Sequence, residues 1–179
     1  MTPETRDAET NRLAALAREG DSDAFETLCR LLRDDVWRYC AALLGDREQA
    51  FDAAQDTFLR LVKAIGRWRG DAPIRVFVLV LARRAVADLI RTEQRRRRMD
   101  EVSRAQPAPT VPGTGTIEVV ALVNDLDPAQ RQAFVLTQVL GLTYDESAEV
   151  AGVAVGTIRS RVSRARGHLV AAIHAAQEG

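Results

Sequence analysis

Residues 99–116, MDEVSRAQPAPTVPGTGT, interrupt a chain whose apolar residues otherwise recur at helical spacing. The three prolines of this stretch cannot continue a helix, because proline lacks a backbone N–H and its ring clashes with the preceding turn. Two glycines add further breaks. Since the two-residue alternation of a strand is sustained nowhere, the sequence predicts an all-α fold. We expect two small helical domains, residues 1–98 and 117–179, joined by a flexible linker, residues 99–116, that spans about 23 Å when relaxed.

The helical period and its end signals place helices on both sides of the linker. Asp46 with Gln49 and Thr143 with Glu146 have the spacing of N-terminal caps, and Gly152 is suited to end a helix. The predicted helices cover residues 8–18, 22–44, 48–65, 73–96, 117–124, 128–140, 144–151 and 155–176.

Charge is segregated along a chain whose formal net charge is zero. Residues 1–60 carry a net charge of −5 and residues 61–98 one of +8. Residues 99–152 then carry −6 and residues 153–179 carry +3. This alternation favours two separate anion-binding surfaces, with acidic surface left for a basic partner protein, although charge runs also occur as plain solvated faces.

Several classes of function lack their usual sequence signals. No stretch has the apolar length of a signal peptide or membrane span, so we expect a cytoplasmic protein without membrane insertion. Cys29 and Cys40 lie about 16 Å apart along one predicted helix, too far for a disulfide within it, and are predicted to be core thiols. His168 and His174 have no neighbouring ligands, so we expect no metal. We assign no catalytic residue and no cofactor, because no constellation of nucleophile and base and no phosphate-binding glycine loop occurs.

The stretch GLTYDESAEVAGVAVGTIRSRV has the layout of a helix-turn-helix, with a short helix, a tight turn and a longer basic helix. Helical spacing turns Ile158, Val162, Ala165, Leu169 and Ile173 inward. The opposite face has no carboxylate and suits a polyanion such as DNA, although a helical hairpin with a solvated arginine face is the alternative. The candidate DNA-binding residues here are Thr157, Arg159, Ser160, Arg161, Ser163 and Arg164.

A second candidate surface lies on the predicted helix 48–65. We expect Phe51, Ala54, Phe58, Val62 and Ile65 to face the core. On the other side, helical spacing aligns two carboxylates and a leucine beside a glutamine, a surface that could hold a basic helix of another protein or could be ordinary solvent-facing surface. The residues of this ridge are Asp52, Gln55, Asp56 and Leu59.

The loop that follows, and the helix after it, form the first basic block. Trp68 between Arg67 and Arg69 suits stacking on unpaired bases, although a tryptophan that closes a small core is equally consistent. In the next helix we expect Asp88 to hold both Arg84 and Arg91 for phosphate contact.

Four stretches in this order resemble the extracytoplasmic-function sigma factors of the sigma-70 family. They are D-x-x-Q-D-T-F, A-R-x-x-x-x-D-x-x-R, the linker, and L-x-x-x-Q-R-x-x-x-x-L followed by V-G-T-I-R-S-R-V-S-R-A-R. The resemblance implies a sigma region 2 before the linker and a sigma region 4 after it. In that family, region 2 binds the β′ clamp of core RNA polymerase and the promoter −10 element, while region 4 binds the β flap and the −35 element.

Carried over residue by residue, the resemblance assigns the ridge Asp52, Gln55, Asp56 and Leu59 to core-polymerase binding and the helix-turn-helix residues to the −35 element. Phe77 stands where the family commonly has Trp, and Arg84 where it commonly has Asn. An anti-sigma factor is a further candidate partner. The residues assigned to −10 DNA are Arg67, Trp68, Arg69, Arg75, Phe77, Arg83, Arg84, Asp88 and Arg91.

The sequence thus predicts a subunit that directs core RNA polymerase to specific promoters and assists −10 melting. Two alternatives stay open. A stand-alone helix-turn-helix regulator would bind operators without polymerase, and an adaptor or anti-sigma-like module would not bind promoter DNA.

Overall fold

The computed structural model describes residues 3–100 and 123–177, and every regular element within these ranges is helical, as the sequence predicts. Residues 101–116 of the predicted linker and residues 117–122 of a predicted helix lie outside the described ranges. The elements of the first unit are α1 (Pro3–Arg18), α2 (Ser22–Leu44), α3 (Arg47–Ala64), a 3₁₀ turn (Ile65–Arg67) and α4 (Ile74–Asp100). Those of the second unit are α5 (Pro128–Phe134), a π-helical turn (Val135–Val139), α6 (Tyr144–Ala151) and α7 (Val155–Gln177).

The helix ends follow from local side-chain chemistry. The Asp46 carboxylate accepts a hydrogen bond from the Gln49 amide at 2.8 Å and so begins α3. At α6 the Glu146 amide donates to Thr143 Oγ1 at 3.2 Å, and the Thr143 amide donates to Glu146 Oε2 at 2.8 Å. Gly152 ends α6 with a φ of 69°. All three predicted end signals are confirmed.

Helix α3 packs against α2 and α4 through small side chains. Phe51 and Val62, which we expected in the core, are 63% and 58% exposed. That expectation was wrong because the buried stripe of α3 is displaced by about one residue around the helix, where alanines let the neighbouring helices approach closely. The buried residues of α3 are Ala50, Ala53, Ala54, Thr57 and Leu61.

The two units pack against each other, with α2 against α5 and α4 against α6. Their buried side chains form one contiguous cluster that includes Leu28 in α2 and Ile158 in α7. Polar contacts cross the same boundary, since Gln132 Nε2 donates to the Tyr39 hydroxyl at 2.8 Å. The packed arrangement of the two units comes from these cross-unit contacts.

Candidate nucleic-acid and protein interfaces

Helix α7 presents the arginine-rich face that the sequence predicts. Ile158, Val162 and Ala165 are fully buried and fix the rotation of the helix. Arg159 and Arg164 are therefore exposed together with Ser160 and Ser163, while Thr157 and Arg161 are half-buried. No carboxylate lies within Val155–Gln177, so nothing on this helix competes with a polyanion for the guanidinium groups. One inward assignment was wrong, because Ile173 lies near the end of α7 and is 44% exposed.

The predicted ridge on α3 is also brought together. Asp52 and Gln55 are exposed, Asp56 is half-exposed, and Leu59 is 58% exposed on the same side of the helix. Phe51 lies one turn before Gln55 and adds apolar surface to the ridge. The result is an exposed face that combines carboxylates with large apolar side chains.

An ion-pair chain links α3 to α4 behind this ridge. Arg60 Nη2 lies 2.7 Å from Asp56 Oδ2 and also 2.7 Å from Asp88 Oδ2. The second oxygen of Asp88, Oδ1, accepts a hydrogen bond from Arg91. The predicted pairing of Asp88 with Arg91 is confirmed, whereas the second guanidinium on Asp88 is that of Arg60 rather than Arg84.

Two arginines together determine the electrostatics of Asp88. Hydrogen bonds from Arg60 first, and from Arg91 second, hold the pKa of Asp88 below its ordinary value. Sequence reasoning missed Arg60, although its position four residues after Asp56 is an ion-pair spacing on a helix.

The three candidate residues in the loop after α3 differ in exposure. Arg67 and Arg69 are exposed, but Trp68 is only 7% exposed and its Nε1 donates to the Ala72 carbonyl at 3.0 Å. In this conformation the tryptophan closes the core, as the alternative interpretation expects. Phe77, early in α4, is half-buried against the same core.

Two further candidates for −10 binding lie at the boundary between the units. Arg75 is 8% exposed; its Nε donates to Asp35 Oδ2 at 2.6 Å, and its Nη2 donates to the Leu140 carbonyl of the second unit. The guanidinium of Arg83 lies 3.5 to 3.6 Å from the point where a Cβ on Gly152 would stand, and its buried Nε has no hydrogen-bond partner. In the packed arrangement Arg75 is buried and Arg83 is half-buried, whereas Arg84 and Arg91 are exposed.

Sequence reasoning also missed Asp35. It is 3% exposed, and it accepts hydrogen bonds from Arg6 as well as from Arg75. The signal was present, because Asp35 follows Leu28 and Leu32 at helical spacing, and a carboxylate inside an apolar stripe requires a buried partner.

Metal-ligand residue types and the two cysteines are the remaining candidates for other chemistry. Among the described residues, no three His, Cys, Asp or Glu side chains cluster as a metal site would require. Cys29 is half-buried and Cys40 is buried, and both are free thiols. Burial raises the pKa of Cys29 to about 11 and that of Cys40 to about 12, which keeps both thiols protonated at neutral pH. Within residues 3–100 and 123–177, no helix is long and apolar enough to cross a bilayer.

Comparisons with known proteins match both units. The family model described as "Sigma-70 region 2" matches residues 28–96, and the one described as "Sigma-70, region 4" matches residues 116–169. A Mycobacterium tuberculosis protein described as "ECF RNA polymerase sigma factor SigC" is 40% identical to this chain. The alignment covers 96% of this chain and 95% of that protein.

Two solved structures share the fold. The structure of CnrH in complex with the cytosolic domain of CnrY superposes with a TM-score of 0.73 at 25% identity, covering 93% of this chain and 98% of that one. The sigma factor RpoE from Bartonella quintana, crystallised with the anti-sigma factor NepR, gives a TM-score of 0.75 at 22% identity, covering 84% of this chain and 96% of that one. At this identity the second likeness concerns the fold alone.

Proposed function

The chain belongs to the extracytoplasmic-function sigma factors of the sigma-70 family, and from that premise we propose which of its surfaces perform the family's work. As an RNA polymerase sigma factor, it directs core RNA polymerase to specific promoters, assists melting of the −10 element and so starts transcription. The observation that carries this function is the succession of a region 2 and a region 4 along one chain.

We assign core-polymerase binding to the α3 ridge of Asp52, Gln55, Asp56 and Leu59, against the β′ clamp. The exposure of these four side chains on one side of a helix supports the assignment. Carboxylates around a large apolar side chain suit a basic helix, because charge steers the encounter and apolar burial then holds the complex. An anti-sigma factor is a further partner, and competition for this ridge would be its signature.

We assign the −35 element to the outer face of α7, and the −10 element to the loop after α3 and to α4. The exposed arginines of α7 support the first assignment, since arginine reads guanine bidentately and also contacts phosphate. Because region 2 and region 4 are tethered, the first DNA contact raises the effective concentration of the second. Stacking of unpaired bases on Trp68 would favour melting, and it requires this side chain to leave the core position that it has here.

Use of Arg75 and Arg83 on DNA requires the two units to separate. Arg75 donates to the Leu140 carbonyl of the second unit, and the guanidinium of Arg83 occupies the space next to Gly152 of that unit. Arg84 and Arg91 are exposed already and can contact DNA without that change.

The proposed activity is physical rather than covalent. Sigma factors are generally initiation factors without catalytic activity of their own, and we propose that this chain is no exception. Since its partner enzyme is core RNA polymerase, we also propose that it works in the cytoplasm.

The decisive experiment is run-off transcription with purified core polymerase, this protein and a promoter library. A sigma factor gives transcripts that depend on both the protein and the promoter sequence. If no such transcript forms while the isolated protein footprints an operator, the chain is a stand-alone regulator; failure of both assays favours an interaction module.

Changing Arg161 to alanine tests the α7 face. We expect a loss of about 1–3 kcal/mol in promoter selection at the −35 element, the value of a bidentate contact with guanine. Arg33→Ala, an exposed arginine of α2, is the matched control for lost charge. Unchanged selectivity in Arg161→Ala would remove this residue from the readout set.

Changing Asp56 to arginine tests the α3 ridge. We expect weaker competition for core polymerase, because a cation replaces a carboxylate that would face a basic helix, and we expect the fold to persist because the side chain is half-exposed. Equal competition by a folded Asp56→Arg protein would refute the clamp assignment. Thermal unfolding checks that the variant is folded.

A further inference from the structure

Arg60 occupies a position shared by the two proposed binding surfaces of region 2. A single nitrogen, Nη2, is 2.7 Å from a carboxylate oxygen of Asp56 on α3 and 2.7 Å from one of Asp88 on α4. Asp56 belongs to the proposed polymerase ridge, and Asp88 belongs to the proposed −10 face. Arg60 itself was assigned to neither surface.

The pairing continues toward DNA through Asp88. Its Oδ2 is engaged by Arg60 and its Oδ1 by Arg91, which is exposed on α4 and suited to a phosphate. The four groups therefore alternate in sign from Asp56 to Arg91. Nη2 carries two hydrogens and can donate to both carboxylates at once, but the two carboxylates share the single positive charge of Arg60. A second cation that pairs with Asp56 therefore leaves the charge of Arg60 to Asp88 alone.

We propose that Arg60 is a positioning residue that couples polymerase binding on α3 to −10 DNA binding on α4. When a cationic group of polymerase pairs with Asp56, Arg60 loses one of its two carboxylates and pairs more fully with Asp88. Asp88 then holds Arg91 less tightly, and the Arg91 guanidinium is released to contact a phosphate. This inference rests on the proposed function.

The solvent exposure of the paired side chains sets the expected size of the coupling. The side chain of Arg60 is 30% exposed and those of both aspartates are 45% exposed, so each pair is partly screened by water. Exposed ion pairs of this kind change an equilibrium by about two- to five-fold. Linkage requires the coupling to be reciprocal, so DNA binding at Arg91 favours polymerase binding at Asp56 by the same factor.

A double-mutant cycle on the reconstituted holoenzyme tests the coupling. The affinity for a DNA fragment that carries the −10 element is measured at saturating core polymerase for the wild type, Arg60→Gln, Arg91→Gln and the double variant. We expect Arg60→Gln to weaken binding about two- to five-fold, because Asp88 then pairs with Arg91 alone. In the Arg91→Gln background the same change should have no further effect. Arg33→Gln, which removes an exposed arginine paired only loosely with Asp34 at 3.7 Å, controls for net charge and should match the wild type.

Every other outcome overturns the proposal. An equal loss in both backgrounds would mean that Arg60 contacts DNA directly or only stabilises the packing of α3 on α4, and thermal unfolding separates these two explanations. No loss of DNA affinity for Arg60→Gln in the otherwise wild-type protein would mean that the shared pairing has no consequence. If wild-type holoenzyme forms no promoter-dependent transcript, the proposed function fails instead, and that result is distinct from an absent coupling in a working holoenzyme.

Discussion

Replacing Arg75 with methionine would remove a guanidinium that joins Asp35 of α2 to the Leu140 carbonyl of the second unit. Methionine preserves most of the length and apolar contact of the side chain but provides no donor. Asp35 would then be a carboxylate, 3% exposed, with Arg6 as its remaining cation at 3.1 Å. The unit boundary would lose a buried hydrogen bond at the same time.

The expected cost can be worked from these contacts. Removing one partner of a buried ion pair costs about 3–5 kcal/mol, because the other charge is left without compensation. Arg6 still compensates part of the charge, and its side chain is 26% exposed, so we reduce this to about 2–3 kcal/mol. The lost hydrogen bond to the Leu140 carbonyl adds about 1 kcal/mol. We therefore expect a loss of about 3–4 kcal/mol in the free energy of unfolding.

Urea unfolding followed by far-ultraviolet circular dichroism measures this loss, with Arg12→Met as the control. Arg12 pairs with Glu9 on the surface of α1 at 2.9 Å, and both side chains are well exposed, so its removal should leave the free energy of unfolding close to that of the wild type. Small-angle X-ray scattering should show a larger radius of gyration for Arg75→Met, because the two units lose a hydrogen bond that holds them together. A loss no greater than that of Arg12→Met, with an unchanged radius, would refute the reasoning.

Further changes give smaller effects. Gly152→Ala should cost about 1–2 kcal/mol in the same urea assay, because the position has a φ of 69°. The control is Gly156→Ala in α7, where a Cβ meets open space, and this change should be neutral or stabilising. Equal effects of the two changes would exclude backbone strain at Gly152. Burial raises the pKa of Asp7 above its ordinary 3.8, so its ionised form lowers stability at neutral pH, and this loss disappears as the pH falls below the ordinary value. Asp7→Asn should therefore raise the melting temperature at pH 7 and by less at about pH 3; a gain that does not depend on pH would contradict the sign.

Much of the site could be predicted from local spacing. The α3 ridge of Asp52, Gln55, Asp56 and Leu59 and the arginine face of α7 depend only on which residues share a side of a helix, and helical geometry fixes that. The pairing of Asp88 with Arg91 is equally local. That Arg60 and not Arg84 is the second partner of Asp88 was not predictable in this way, because this pairing depends on how α3 lies against α4.

The sequence by itself determined the helical elements, their capped ends and the two exposed faces, since a period of 3.6 residues and a side chain within one turn are sufficient for each. Only the tertiary structure decided that Trp68 and Arg75 turn inward, that Phe51 turns outward, and that the second unit packs over the first. These outcomes depend on contacts between residues far apart in the chain, such as Arg75 with Leu140. Spacing within one helix carries no information about the side chains that a neighbouring helix brings to it.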